Sequence, residues 1–152
     1  MAIEEQFLVL WRSSDWSRKN QNQEWNQWRE KYGDGEIDLS GANLLGRDLS
    51  GANLEKANLQ NAVLSGVSLK EANLREADLS NSHLQGADFT GADLKDALFQ
   101  GASLRDAILK DCKNLNPEQL SEAKELDGIT GLEDDFIEKL AEIAPHLMEW
   151  KK

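Results

Sequence analysis

Leu or Phe returns at every fifth position from Leu39 to Leu109, fifteen times without an insertion or deletion. The centres of this pattern are Leu39, Leu44, Leu49, Leu54, Leu59, Leu64, Leu69, Leu74, Leu79, Leu84, Phe89, Leu94, Phe99, Leu104 and Leu109. Two residues before most centres stands a small side chain, usually Ala, with Val67 and Ser82 as mild variants. The residue just before the centre is Asp or Asn nine times, and the two remaining places are polar or Gly. A helix repeats its apolar positions three and four apart and a strand two apart, so a strict spacing of five lines one face of neither. Self-similarity at a fixed short period predicts a solenoid.

The order small residue, Asp or Asn, Leu, then two polar residues resembles the pentapeptide-repeat family over about half of the chain. That resemblance implies a right-handed quadrilateral β-helix in which four repeats make one square coil and the centre and the residue two before it point inward. The expected fold is therefore an all-β solenoid core of just under four coils, closed by α-helical caps at both ends. Leu49, Leu69, Phe89, Phe99 and Leu109 belong to the expected core stack. Coils stacked at the β spacing of about 4.8 Å make a rod of roughly 18 Å. Each buried Leu or Phe contributes roughly 1.5–3 kcal/mol, so the column holds without a disulfide.

The open ends of a solenoid need covers. Residues 1–34 read as an N-terminal helical cap, residues 35–115 as the β-helix and residues 116–152 as a C-terminal helical cap or association segment. In the first segment Trp25, Trp28 and Tyr32 share helical spacing before the stop signal Gly33-Asp34-Gly35, with Trp11 and Trp16 earlier. Ile3, Phe7, Leu10 and Trp11 also fall on one helical face. The stretch WNQWREKYGDGEIDLSGANL resembles the tryptophan-bearing lead-in of cyanobacterial pentapeptide proteins. Arg47 occupies an Ala place in the first coil; since a guanidinium is not buried unpaired, it is expected to turn out and lock the lid to the rod.

At the other end Asn116-Pro117 predicts a helix start, with Asn as N-cap and Pro in the first turn. That helix is expected to end near Asp127-Gly128. A second helix from residues 132–135 places Phe136, Leu140, Ile143 and Leu147 on one side, and Pro145 breaks it. The stripe either folds over the last coil or meets a second copy, so the chain is expected to be a monomer or a dimer through these helices.

Chemistry is sparse. His83 and His146 lie far apart with no carboxylate or cysteine at metal-ligand spacing. The glycines of the repeat recur in its last place, where a tight corner explains them, and no phosphate-binding loop occurs. No nucleophile turn is complete, because Gly66-Val67-Ser68-Leu69-Lys70 fails at its last position. Cys112 falls two before a sixteenth centre, Asn114, and reads as a small filler. No catalytic residue, metal or cofactor is expected, and the protein is not expected to be an enzyme. No apolar run of eighteen residues is present and the acidic start does not resemble a signal peptide, so a cytoplasmic location is expected.

A binding role remains. The net charge of −11 raises one specific possibility: members of the resembled family that confer quinolone resistance are acidic rods thought to imitate DNA on gyrase. Residues 35–111 carry twelve acidic and seven basic side chains, about half the charge of B-DNA over the same length, at one charge per about 1.7 Å. Mimicry of DNA toward gyrase or another DNA-binding protein is therefore the alternative reading. The preferred one is a rigid scaffold for an unidentified protein partner, with no direct nucleic-acid or membrane contact. On a four-sided coil, the faces through Leu39 and Leu44 carry few charges, and Leu45, Val63, His83, Gln85 and Leu98 are the candidate partner surface.

Overall fold

The computed structural model describes residues 22–33 and 37–151. Within it the five-residue period becomes a four-sided coil. Residues twenty apart in sequence form parallel bridges, among them Asn43 with Val63, Val63 with His83, and Ser68 with Asp88. Regular strand is limited to β1 (Ile37–Asp38) paired in parallel with β2 (Ala57–Asn58); elsewhere each side is too short for more than one bridged residue. The all-β expectation therefore holds as a ladder of bridges and corners rather than of long strands.

The repeat around Leu79 gives an acceptor to every backbone N–H of its five residues, as burial of polar groups requires. Around Leu79, the N–H of Asp78 donates down to Ala57 at 2.9 Å and those of Leu79 and Asn81 donate up to Leu98 and Gln100 at 2.9 and 2.8 Å. The N–H of Ala77 closes a turn onto the Leu74 carbonyl at 3.1 Å. The fifth donor, Ser80 N–H, has no ladder partner and is taken by the Asp78 side chain at 2.9 Å. All nine Asp and Asn residues before a centre accept a bond of this kind. This explains why the sequence prefers a short acceptor there.

The last place of every repeat has positive φ, whether it is Gly, as at Gly66 (φ 65°), or not, as at Glu76 (φ 56°). Such a third turn residue is the mark of a type II turn. The corner directs the centre and the residue two before it inward, and all fifteen centres are at most 2% exposed. Leu49, Leu69, Phe89 and Leu109 form one inward row, and Phe99 from another side meets Phe89 edge to face at 6.2 Å.

Helix α1 (Gln23–Tyr32) lies on the edge of the first coil. There the sides through Leu49 and Leu54 have no preceding coil, and side chains of the helix and its N-cap take that coil's place. Asn22 Nδ2 donates to the Ser50 carbonyl at 2.8 Å, Trp25 Nε1 to Asn53 at 2.8 Å and Arg29 Nη2 to Glu55 at 3.1 Å. The Asn26 side-chain oxygen accepts the Asn53 N–H at 2.8 Å. Trp25 is fully buried and Trp28 stacks on it at 5.3 Å. The expected helix through Ile3, Phe7, Leu10 and Trp11, together with Trp16, lies outside the described residues.

Two expectations for the C-terminal part are corrected. Helix α2 (Pro117–Ser121) has the predicted N-cap, with Asn116 Oδ1 accepting Gln119 N–H at 2.9 Å, but it ends at Ser121 rather than near Asp127-Gly128. The chain then returns to the coil, past the expected boundary at 115, with bridges from Ser103 to Glu125 and from Ile108 to Thr130. A longer helix would leave the Ala102 and Ala107 carbonyls unpaired; instead Lys124 and Thr130 N–H groups donate to them at 2.8 and 3.1 Å. Leu126 and Ile129 are thereby buried. Helix α3 (Asp134–Ile143) and the 3-10 segment Pro145–Lys151 follow. Leu140, Ala144, Leu147 and Met148 are buried in the same apolar cluster as the column. Ile143, expected on that stripe, is 47% exposed, because the buried line runs through Leu140 and Ala144 four residues apart.

Candidate interaction faces

The four sides differ sharply in charge. Those through Leu49 and Leu54 bear the ion pairs Lys70–Asp88 at 3.2 Å, Arg75–Asp93 at 3.1 Å and Lys113–Glu71 at 3.6 Å. Lys56, Glu76, Lys95 and Asp96 stand on the Leu54 side as well. The adjoining sides through Leu39 and Leu44 show, from residue 37 through three levels, only Asp38 and Asp78 among ionised groups on their outward places. Arg105, Asp106, Glu125 and Asp127 enter above them, where Arg105 lies 3.9 Å from Glu125 and 4.0 Å from Asp127.

The low-charge sides are tied by side-chain ladders from coil to coil. Ser65 Oγ donates to Gln85 Oε1 at 2.9 Å, Gln85 Nε2 donates to Ser103 Oγ at 2.9 Å, and Ser103 Oγ donates to Glu125. On the neighbouring side Gln60 Nε2 donates to Asp78. The Ser103 hydroxyl, with help from Arg105 and Lys124, holds the Glu125 carboxyl below its ordinary range. For Asp78 burial acts to raise the carboxyl, but bonds from Ser80 and Gln60 outweigh it and bring it down. Asp38 is lowered by its bonds from Ser40.

Of the residues singled out from sequence, Val63 and His83 are successive rungs of one ladder that continues to Ser103, and Gln85 stands beside them in the hydroxyl and amide row. Leu45 is on the same side one level below Ser65 and is 60% exposed. Leu98, 53% exposed, sits on the Leu39 side as the rung above Asp78, so it does not join Leu45 in one apolar patch. Arg47 is half-buried, its backbone N–H closing the turn onto Leu44 and its carbonyl accepting the Ser68 N–H from the next coil; the lid contact expected of it lies outside what the described residues show. The described lid contacts come from Asn22, Trp25, Asn26 and Arg29, of which only Trp25 carried a readable signal, its helical spacing to Trp28. Ser103 and Glu125 were not singled out, since Glu125 joins the row only through the shift that α2 introduces.

Cys112 donates its thiol to the Phe89 carbonyl at 3.2 Å. Burial, with the nearby charges of Asp111 and Asp88, pushes the thiol up to about 12. No cluster of His, Cys, Asp and Glu among the described residues has the arrangement of a metal site. No described helix is long and apolar enough to cross a membrane.

The family model described as pentapeptide repeats matches residues 36–70 and 72–111 in eight copies. The chain is 35% identical to HetL, a pentapeptide repeat protein involved in heterocyst differentiation regulation from the cyanobacterium Nostoc sp. strain PCC 7120. That match covers 60% of this chain and 35% of HetL, with a TM-score of 0.37, so the chain spans about a third of HetL's length. A second pentapeptide repeat protein from Nostoc PCC 7120 is 32% identical over 69% of this chain and 93% of its own, with a TM-score of 0.44. Rfr23 from the cyanobacterium Cyanothece 51142 is 30% identical over 68% of this chain and 91% of its own, with a TM-score of 0.24. No curated protein matches the chain.

Proposed function

The chain belongs to the pentapeptide-repeat family, whose members form right-handed quadrilateral β-helices, and we propose that it is a non-enzymatic, cytoplasmic scaffold that presents its low-charge sides to a protein partner. The observation that carries this reading is the segregation of charge. Ion pairs crowd the sides through Leu49 and Leu54, while Val63, His83, Ser65 and Gln85 face outward on a side free of ionised groups over three levels. Depletion of charge at the centre of a surface patch marks protein interfaces. The hydroxyl and amide ladders hold that surface rigid before a partner arrives, which lowers the entropy cost of association.

DNA mimicry has less to stand on. Asp88 and Asp93, acids that a DNA-like rod needs free, are paired with Lys70 and Arg75. The deciding experiment is a pull-down from a cyanobacterial lysate with the intact protein, with Val63→Glu/His83→Glu, and with Asp88→Lys/Asp93→Lys. A scaffold loses its specific partner in the first variant only. A protein that inhibits gyrase supercoiling, and loses that inhibition only when the two aspartates are reversed, is a mimic instead.

A further inference from the structure

At each lower level of the rod a Leu or Phe fills the column on every side, but the last two inward places on the sides through Leu54 and Leu49 lack one. The sixteenth centre is Asn114, which is exposed and donates from Nδ2 to Asp93 at 2.9 Å. The place after Thr130, above Leu109, is Gly131. Its backbone settles so close to the coil below that a Cβ would stand 2.5 Å from the Lys110 nitrogen. Beside Gly131 a cleft of about 350 Å³ opens between the column and helix α3, bounded also by Cys112 and Leu115 on either side of Asn114 in sequence. That volume lies at the small end of ligand pockets.

The floor and the rim of the cleft differ in chemistry. Leu109, Leu115 and Phe136 supply apolar surface, whereas Asp111, Glu133 and Asp135 stand around it against the single cation Lys139. Among the described residues none of the three acids makes an ion pair. Glu133 is the N-cap of α3 yet spends its carboxylate on no capping bond. We propose that this cleft is a binding site for a small hydrophobic cation, an aryl or branched alkyl group bearing a protonated amine. The apolar part would lie beside Gly131 on Leu109, Leu115 and Phe136, and the ammonium would reach the acids at the rim. The site is separate from the Val63 and His83 ladder, so it stands or falls independently of the scaffold reading.

The test is a titration of the ¹⁵N-labelled full chain with 2-phenylethylammonium and, separately, with phenylacetate, an anion of similar size and shape. The cation should shift the amide signals of Cys112, Gly131 and Leu132 with a Kd on the order of 1 mM, as suits so few atoms. Phenylacetate should bind at least about ten-fold more weakly. In Glu133→Gln/Asp135→Asn that preference should shrink to within about two-fold, while Val63→Glu/His83→Glu should leave it intact. The proposal is overturned if wild-type protein binds both ions alike, if shifts appear only away from the cleft, or if neither ion moves any signal.

Discussion

The indole N–H of Trp25 donates to the carbonyl of Asn53 at 2.8 Å, in the place where an earlier coil would have sent up a backbone N–H. Asn26 completes the substitution by accepting Asn53 N–H at 2.8 Å. The lid therefore continues the hydrogen-bond pattern of the rod with side chains, and it seals two of the four first-coil edges.

Removing either partner should loosen that edge. Trp25→Ala takes away a fully buried ring and is expected to cost about 3–5 kcal/mol. Asn26→Ala leaves the Asn53 N–H without its acceptor, at about 1–3 kcal/mol. Urea melts give the magnitudes, and hydrogen exchange locates them: Asn53 should lose protection first, ahead of Leu74 and Leu94 higher in the column. Uniform loss along the rod would show that α1 does not act as an edge cover.

The inward phase is tested by a pair of substitutions at neighbouring kinds of place. Leu69 is fully buried between Leu49 and Phe89, so Leu69→Asp puts an unpaired carboxylate into the column at several kcal/mol. Lys95 is exposed and takes part in described bonds through its backbone alone, donating its N–H to Asp93 and accepting the Glu76 N–H at its carbonyl, so Lys95→Asp should stay within about 0.5 kcal/mol of wild type. Equal melting temperatures for the two variants would reverse the assignment of inside and outside.

Much of this fold was legible because each repeat is nearly self-contained. One small residue, one short acceptor and one Leu recur at fixed phase, and burial follows that phase at all fifteen centres. The chain beyond Asn114 was harder to read because α2 adds two residues and so breaks the period. The fragment Leu126-Asp127-Gly128-Ile129 still has a Leu, a polar residue, a corner Gly and an inward apolar residue, but out of step with Leu109. The faces could be drawn from the count of five alone, which brought Val63, His83 and Gln85 to one side. Contacts such as Asn22 to Ser50 depend on how a separate helix docks, and no periodicity encodes that.

The corners make a prediction of opposite sign to most mutations. Glu76 holds φ 56° and has no described side-chain partner; a left-handed conformation costs a non-glycine residue roughly 1–2 kcal/mol. Glu76→Gly removes that strain while adding chain entropy to the unfolded state, and a net gain of about 0.5–1 kcal/mol is expected. Gly66→Ala is the converse. A Cβ there would touch nothing within 4 Å, but φ is 65°, so the variant should lose about 1 kcal/mol through backbone strain alone. Denaturation midpoints that move in the same direction for both variants would contradict the turn assignment.

Acid should weaken the rod, and only below the ordinary carboxylate range. For both Asp88 and Asp93 burial acts to raise the carboxyl above 3.8, but it is outweighed: by Thr90 and Lys70 at Asp88, and by Asn114, Lys95 and Arg75 at Asp93. Asp78 is lowered in the same way. A carboxyl held lower in the folded chain binds its proton less readily than in the unfolded one, so the unfolded state takes up more protons as pH falls. The stabilisation is full above the unfolded value and is lost as pH drops through the folded ones. Urea midpoints should be flat from about pH 6 to 8 and fall below about pH 4. Asp88→Asn/Asp93→Asn should flatten the acid limb while keeping the side-chain acceptors for Thr90 and Lys95 N–H. An acid limb as steep in this double variant as in wild type would mean that the stabilising carboxylates lie elsewhere.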